Sequence, residues 1–379
     1  MKNNTNKIET KNGITIKLGI DAHAKSYWVS RQIDGASPQA AQKLDRAGLL
    51  KWATKQVESG ATVHSCYEAG PFGYWLHRKL EKLGVKNVIV QPQKLDERNK
   101  GVKNDKFDAK MLAQRLDRYV SGNQYALATV RVPTEAEEQI RNKVRQCEQV
   151  KRLRRTVMLQ GHGLLIRSGY TENKGWWEPH KWLELCQELP QHLIEQLGIY
   201  GRIITKLTEE EEALKKVIEA NAPRQLPCGV GCYTFTLLHS EVGNWHRFTN
   251  RQQVGSYTGL CPREHSSGNS QRMGSISKHG NPYVRAALIE LSWRLLVWQP
   301  NYRGTKIYIK RCPEGKTTSA MRKKAIVAMA RELAIDLWRL FTGRTTPEVL
   351  GLILKEHKSQ PENKNSIYLE ETEHVRSSA

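Results

Sequence analysis

The spacing of hydrophobic positions changes along the chain, and each change marks an element. The apolar run ITIKLGID (14–21) reads as a strand ending on Asp21, and SYWVSRQI (26–33) alternates as a second strand. DRAGLLKWATKQVESG (45–60) has helical spacing and stops at Gly60. ATVHSCYEAG (61–70) is a further strand, closing on Glu68. PFGYWLHRKLEKLG (71–84) opens with proline and closes with glycine, which reads as a helix. KNVIVQP (86–92) is a short strand, and Asp105 to about Val120 a helix. This order predicts an α/β domain over residues 14–128.

From Thr134 the period lengthens. Ile140, Val144, Cys147, Val150, Arg154 and Val157 form one narrow seam. Leu193, Leu197, Tyr200, Ile204, Leu207, Leu214 and Ile218 form another, interrupted by Glu211. Two long helices over 134–222 follow, as an antiparallel coiled-coil arm or a dimerisation element, or else as two ordinary helices packed on a core. Between them, GYTENKGWWEPHKW (169–182) is a loop whose Trp176, Trp177 and Trp182 either stack on bases or pack in a core or interface. A mainly helical domain is expected over 226–345. It starts with the turn LPCGVG (226–231) and the helical TFTLLHSEVG, and continues into a Ser/Gly/Lys/Arg loop at 261–281. Asn281 then caps a helix with Pro282 in its first turn, and a last helix spans 318–343. The polar stretch 356–379 is expected to be disordered.

Charge narrows the function. The 379 residues carry 60 Lys and Arg against 38 Asp and Glu, a formal net charge of +22 spread along the whole chain. Such a surface repels itself unless it meets a polyanion, and nucleic acid is the usual one. No run of about 18 apolar residues occurs, so no membrane span is expected. The polar start MKNNTNKIETKNG lacks the apolar core of a signal peptide, and the seven cysteines are scattered. Both point to a reducing cytoplasm. Cys228, Cys232, His239 and His246 hint at zinc, but the four-residue step between the cysteines suits packing better.

Two constellations carry candidate chemistry. Asp21 and Glu68 end strands, and Asp105 and Asp108 lie three apart near a helix start, on one face. Four carboxylates brought together would repel unless a divalent cation neutralised them; Mg²⁺ suits carboxylate oxygens, waters and phosphates. Lys103, Lys106, Lys110 and Arg115 surround the pair and suit a phosphate backbone. The same residues have ordinary readings: Asp105 as a helix cap, Asp21 as the end of a strand in a turn. The second constellation is REHSSGNSQRMGSISKHGN, with Ser266, Ser267, Ser270, Ser275 and Ser277. Arg263, Arg272, Lys278 and the following Arg285 could cluster there around an oxyanion. By composition alone this loop grips phosphate without covalent chemistry.

Taken together, GIDAHA, YEAG, KNDKFDA, LPCGVG and GLCPREHSSG followed by GSISKHGNPYVRAAL resemble the DEDD transposases of bridge-RNA-guided insertion sequences over residues 14–345. The resemblance implies an N-terminal RuvC/RNase H-like domain, an antiparallel coiled-coil arm and a mainly helical C-terminal serine transposase domain. It implies that Asp21, Glu68, Asp105 and Asp108 are the four acids holding Mg²⁺. It matches Ser267, which precedes Gly268 in the stretch from Pro262, to the nucleophile, with Ser266 its neighbour. It further implies a phosphoserine link to DNA, a composite site of acids and serine, and a dimer or tetramer. Element ends and target DNA would be paired by a structured guide RNA, in a nucleoid-associated cytoplasmic protein. Two rivals stay open: a metal-dependent junction-resolving nuclease using water, and a non-catalytic nucleic-acid-binding protein.

Overall fold

The computed structural model describes residues 13–92, 104–171, 175–265, 272–313 and 316–356. The chain divides into two compact units, Met1–Val132 and Pro133–Ala379.

In the first unit, β1 (Thr15–Ala22) and β2 (Ser26–Ile33) form a hairpin, followed by β3 (Gln42–Asp45) and α1 (Arg46–Glu58). Then come β4 (Thr62–Glu68), α2 (Trp75–Lys82), β5 (Lys86–Val90), α3 (Asp105–Val120) and β6 (Thr129–Val130). The strands make one mixed sheet in the order β3-β2-β1-β4-β5-β6. β4 runs parallel to β1 and β5, while β2, β3 and β6 pair antiparallel. Such an arrangement is compatible with a RuvC-like fold. The short β3 and β6 have no sequence signal, because pairing to a neighbour rather than an apolar run makes them strands. Helix α2 starts at Trp75, four residues beyond the predicted proline start. Gly73 sits at φ +65° and breaks helical geometry before it.

Alternation along β1 divides the unit into layers. Ile16, Leu18 and Ile20 are buried on one face with Leu49 and Ala53 of α1 and Leu76 and Leu80 of α2. Lys17, Gly19 and Asp21 point to the other face, which α3 covers. The contact with α3 is unusually close: a Cβ on Gly19 would stand 2.1 Å from the Ala109 carbonyl oxygen and 2.3 Å from the Ala113 nitrogen. One step toward the strand start, buried Lys17 pairs with Asp117 of α3 at 2.9 Å. Two strand residues advance about 6.6 Å and four helix residues about 6.0 Å, so α3 descends as β1 ascends and stays in step. Continuing the ladder one step past Gly19 and Ala109 brings Asp21 to Asp105.

The second unit opens with α4 (Glu135–Arg167), begun by a capping box in which Thr134 and Glu137 exchange hydrogen bonds. α5 (Pro179–Glu188) and α6 (Gln191–Glu219) follow. Helices α4 and α6 pack antiparallel: Leu165 shares a core with Leu193 and Leu197, while Val144 and Cys147 share one with Ile218. Glu211, which interrupts the α6 seam, is buried and faces Arg154 of the α4 seam at 2.9 Å, with Lys215 beside it. An interrupted position in each seam is thus one ion pair that fixes the register of the two helices.

The remainder is β7 (Gln225–Pro227), α7 (Cys232–Val242), α8 (Arg251–Thr258), β8 (Pro262–Glu264), β9 (Met273–Ile276), α9 (Pro282–Trp298), α10 (Arg303–Arg311), α11 (Ser319–Phe341), α12 (Pro347–Leu350) and β10 (Leu354–Glu356). One apolar core joins α7, α8, α9 and α11 to the nearer ends of α4 and α6. Within it, buried Asp336 accepts from Tyr302 at 2.9 Å and from Arg303 at 2.8 Å. No helix of the described residues is long and apolar enough to cross a membrane.

Candidate active site

The acids gather at one end of the first sheet. Ile20 of β1 pairs with Tyr67 of β4, so Asp21 and Glu68 are the next positions on two parallel neighbours and share a face. That face is the α3 side, because Cys66, two residues before Glu68, donates its thiol to the Leu112 carbonyl at 3.5 Å. Burial, with Glu68 adding to it, raises the Cys66 thiol pKa.

Asn104 caps α3, its side chain accepting from the Lys106 amide at 3.1 Å. The cap is therefore Asn104, and the Asp105 carboxylate turns to the strand end instead. Asp105 and Asp108 occupy the first turn, where the helix dipole favours negative charge. The Asp21 carboxyl is held above its ordinary pKa. Burial is the main cause, partly offset by His23 and reinforced by repulsion from Asp105 and Asp108.

His23, in the turn after β1, joins the acids. Its Nε2 lies 3.3 Å from Asp21 Oδ2 and 3.2 Å from Asp105 Oδ2. Ligand atoms of Asp21, His23 and Asp105 all lie within 4.8 Å of one another, the one such group of three among the described residues. The signal available was the Asp-x-His step in GIDAHA. The cysteines and histidines considered for zinc form no such group; His239 is instead half-buried, stacked on Phe235 and edge-on to Phe341. Three donors from a strand, a turn and a helix fit a divalent cation by donor chemistry, oxygen with one imidazole nitrogen.

Exposed Lys106 and Lys110 flank the acids, and Lys106 Nζ lies 4.9 Å from the Trp28 ring centroid. Lys103 lies outside the described residues.

In the second unit, β8 and β9 pair antiparallel, Pro262 with Ile276 and Glu264 with Met273. Residues 266–271 between them, including Ser266 and Ser267, lie outside the described residues. The flanking loop is tightly held. Gly280, at φ +154°, lets the chain pass the Tyr257 carbonyl, from which an added Cβ would stand 2.4 Å. Asn281 caps α9 through the Tyr283 and Val284 amides and donates to buried Glu241 at 2.7 Å. Arg145 of α4 holds the same carboxylate through two bonds, at 2.7 and 2.9 Å. Arg285 donates to the carbonyls of Thr258 and Lys278, and Arg263 to that of Ser277. These two arginines clamp the loop backbone, whereas Arg272 and Lys278 are exposed.

The tryptophan loop divides similarly. Trp176 is buried against Gly161, where a Cβ would stand 2.1 Å from its ring, and its Nε1 donates to the Met158 carbonyl at 3.1 Å. It is core, with Trp177 and Trp182 edge-on at 6.1 Å.

Residues 225–306 match the family model described as "Transposase IS116/IS110/IS902 family". A Sinorhizobium fredii protein named "Putative transposase y4rJ" is 30% identical over 374 residues, covering 88% of this chain and 93% of its own. The transposase for insertion sequence element IS1111A of Coxiella burnetii is 28% identical, covering 73% of this chain and 77% of its own. The pilin gene-inverting protein of Moraxella bovis is 28% identical over 45% of this chain and 61% of its own. The similarity to y4rJ runs through the acid-bearing sheet as well as the serine-bearing loop, and with the family-model match it has one consequence: the chain belongs to the IS116/IS110/IS902 family of insertion-sequence transposases.

Proposed function

We propose that this transposase cuts and rejoins DNA through a covalent phosphoserine intermediate, with Asp21, Glu68, Asp105 and Asp108 as the acids and Ser267 as the nucleophile. The observation that carries the proposal is the seating of α3 on Gly19, which gathers Asp21 and Asp105 with His23 at the sheet end. Mg²⁺ held by these carboxylates would supply charge stabilisation at the scissile phosphate. Lys106, Lys110, Arg272 and Lys278 hold the sugar–phosphate backbone. Ser267 Oγ attacks phosphorus and gives up its proton; the bond to the departing strand oxygen breaks, and that oxygen takes up a proton in turn, so the step is proton-neutral. The phosphoserine ester keeps the bond energy, and a second strand's hydroxyl reverses the step to rejoin. The likeness to a pilin gene-inverting protein supports rejoining over simple cleavage, since inversion restores intact strands.

Acids and serine are both required at one phosphate, which is the reason to expect a homo-oligomer, with the α4–α6 pair as a coiled-coil arm. Guidance by an element-encoded RNA rests on the motif resemblance. It predicts that purified protein carries a discrete RNA and loses target selectivity on ribonuclease treatment.

The test is an adduct trap. Wild-type, Ser267→Ala and Asp105→Asn proteins, with co-purified RNA, are mixed with labelled element-junction DNA and Mg²⁺. Label migrating with denatured wild-type protein and absent from both variants is the expected result. Cleavage by Ser267→Ala without any adduct would replace the proposal with a water-using nuclease.

A further inference from the structure

We propose that His23 is itself a ligand of the divalent ion, making the centre a mixed nitrogen–oxygen site that takes Mn²⁺ in preference to Mg²⁺. This rests on the metal reading above and goes beyond the four acids.

The geometry carries it. The turn after β1 is closed by the His23 amide donating to the Ser26 carbonyl at 3.1 Å, which places the imidazole beside the strand end it has just left. From there Nε2 is nearly equidistant from two carboxylate oxygens, 3.3 Å from Asp21 and 3.2 Å from Asp105. One N–H divided between two oxygens is a poor hydrogen bond, and both distances exceed the roughly 2.7–2.9 Å of a charge-assisted one. They do match neighbouring corners of an octahedron. Ligands about 2.1 Å from a small divalent ion stand about 3.0 Å apart along an edge.

The turn brings His23 to Asp21, and α3 brings Asp105 to both from more than eighty positions away, so the convergence of the three donors is tertiary. His23 is about 47% exposed and Asp21 about 25%, leaving an open side for waters and a phosphate oxygen. An all-carboxylate set suits Mg²⁺, whereas an imidazole nitrogen favours first-row transition ions over Mg²⁺, and of these Mn²⁺ is the one that shares the octahedral, oxygen-rich preference of Mg²⁺. The half-exposed turn tolerates substitution without disturbing the core.

The experiment titrates Mn²⁺ into full-length wild-type, His23→Ala, His23→Asn and Asp21→Asn proteins without nucleic acid. Unbound Mn²⁺ is read by electron paramagnetic resonance, and bound Mn²⁺ by electron spin echo modulation, which detects a directly coordinated nitrogen. Competition with Mg²⁺ gives the second affinity, and circular dichroism establishes that each variant is folded. The expected result is nitrogen modulation in wild type that disappears in both His23 variants. Their Mn²⁺ affinity falls about tenfold or more, with a smaller fall for Mg²⁺. Mn²⁺ bound to wild type without nitrogen modulation, and displaced by Asp21→Asn, would overturn the His23 assignment and leave the carboxylate site standing. Binding unaffected by Asp21→Asn, or no binding, would overturn both.

Discussion

Gly19→Ala tests the contact that builds the site. The added Cβ would stand 2.1 Å from the Ala109 carbonyl oxygen and 2.3 Å from the Ala113 nitrogen, where ordinary contact begins near 3.4 Å. Helix α3 must therefore retreat by about 1.3 Å, because the obstructing atoms are backbone and no rotamer relieves them. Overpacking of this kind costs about 1–3 kcal/mol, and rigid obstruction places Gly19 toward the upper end. Melting temperature should fall by roughly 4–10 °C. Because α3 carries Asp105 and Asp108, the retreat also separates them from Asp21, and the rise in melting temperature with Mg²⁺ that the proposed metal site predicts for wild type should shrink. Gly163→Ala in α4 is the control: its Cβ would meet nothing within 4 Å, so the change should be neutral or slightly stabilising. Scanning calorimetry of the three proteins, with EDTA and with Mg²⁺, makes the comparison. A Gly19→Ala protein melting within a degree or two of wild type, with its Mg²⁺ response intact, would refute the close-seating argument.

Three further outcomes follow from the same geometry. Asp21 has a raised folded pKa, so its ionisation opposes folding: stability is full below its ordinary value near 3.8 and declines as pH rises through the folded value. In EDTA at neutral pH, Asp21→Asn should therefore be more stable than wild type, with the difference vanishing in acid; an Asp21→Asn protein less stable at pH 7 would contradict this. Glu211→Ala strands Arg154 in the α4–α6 seam and should cost at or below the lower end of the roughly 3–5 kcal/mol for a broken buried pair, since Arg154 is about 29% exposed. Adding Arg154→Leu to Glu211→Leu should recover most of it in denaturant titrations. Asn281→Ala removes both the α9 cap and a partner of Glu241, and should lower stability by roughly 1–2 kcal/mol in the same assay.

Periodicity and punctuation were enough to locate most elements of the α/β unit and the long helices. Alternation in β1 and β2, the glycine at 60 and the Asn281–Pro282 start of α9 are local signals, set by the backbone preferences of a few consecutive residues. The acids stood out because charge at a strand end has few local uses. What local pattern could not carry was proximity. Gly19 reads as an ordinary strand glycine until α3 lies on it, and His23 as a turn residue until Asp105 arrives from more than eighty positions away. Trp176 fitted base stacking or core packing equally well and Glu211 read as an interruption; both are buried, one against Gly161 and the other against Arg154. The amino-acid sequence by itself determined most of the strands and helices, where the basic charge and the four acids lie, and which loop carries Ser267. Only the tertiary structure decided that Asp21, His23 and Asp105 share one small volume. Close packing is a property of pairs of surfaces, and no single segment encodes the partner it will meet.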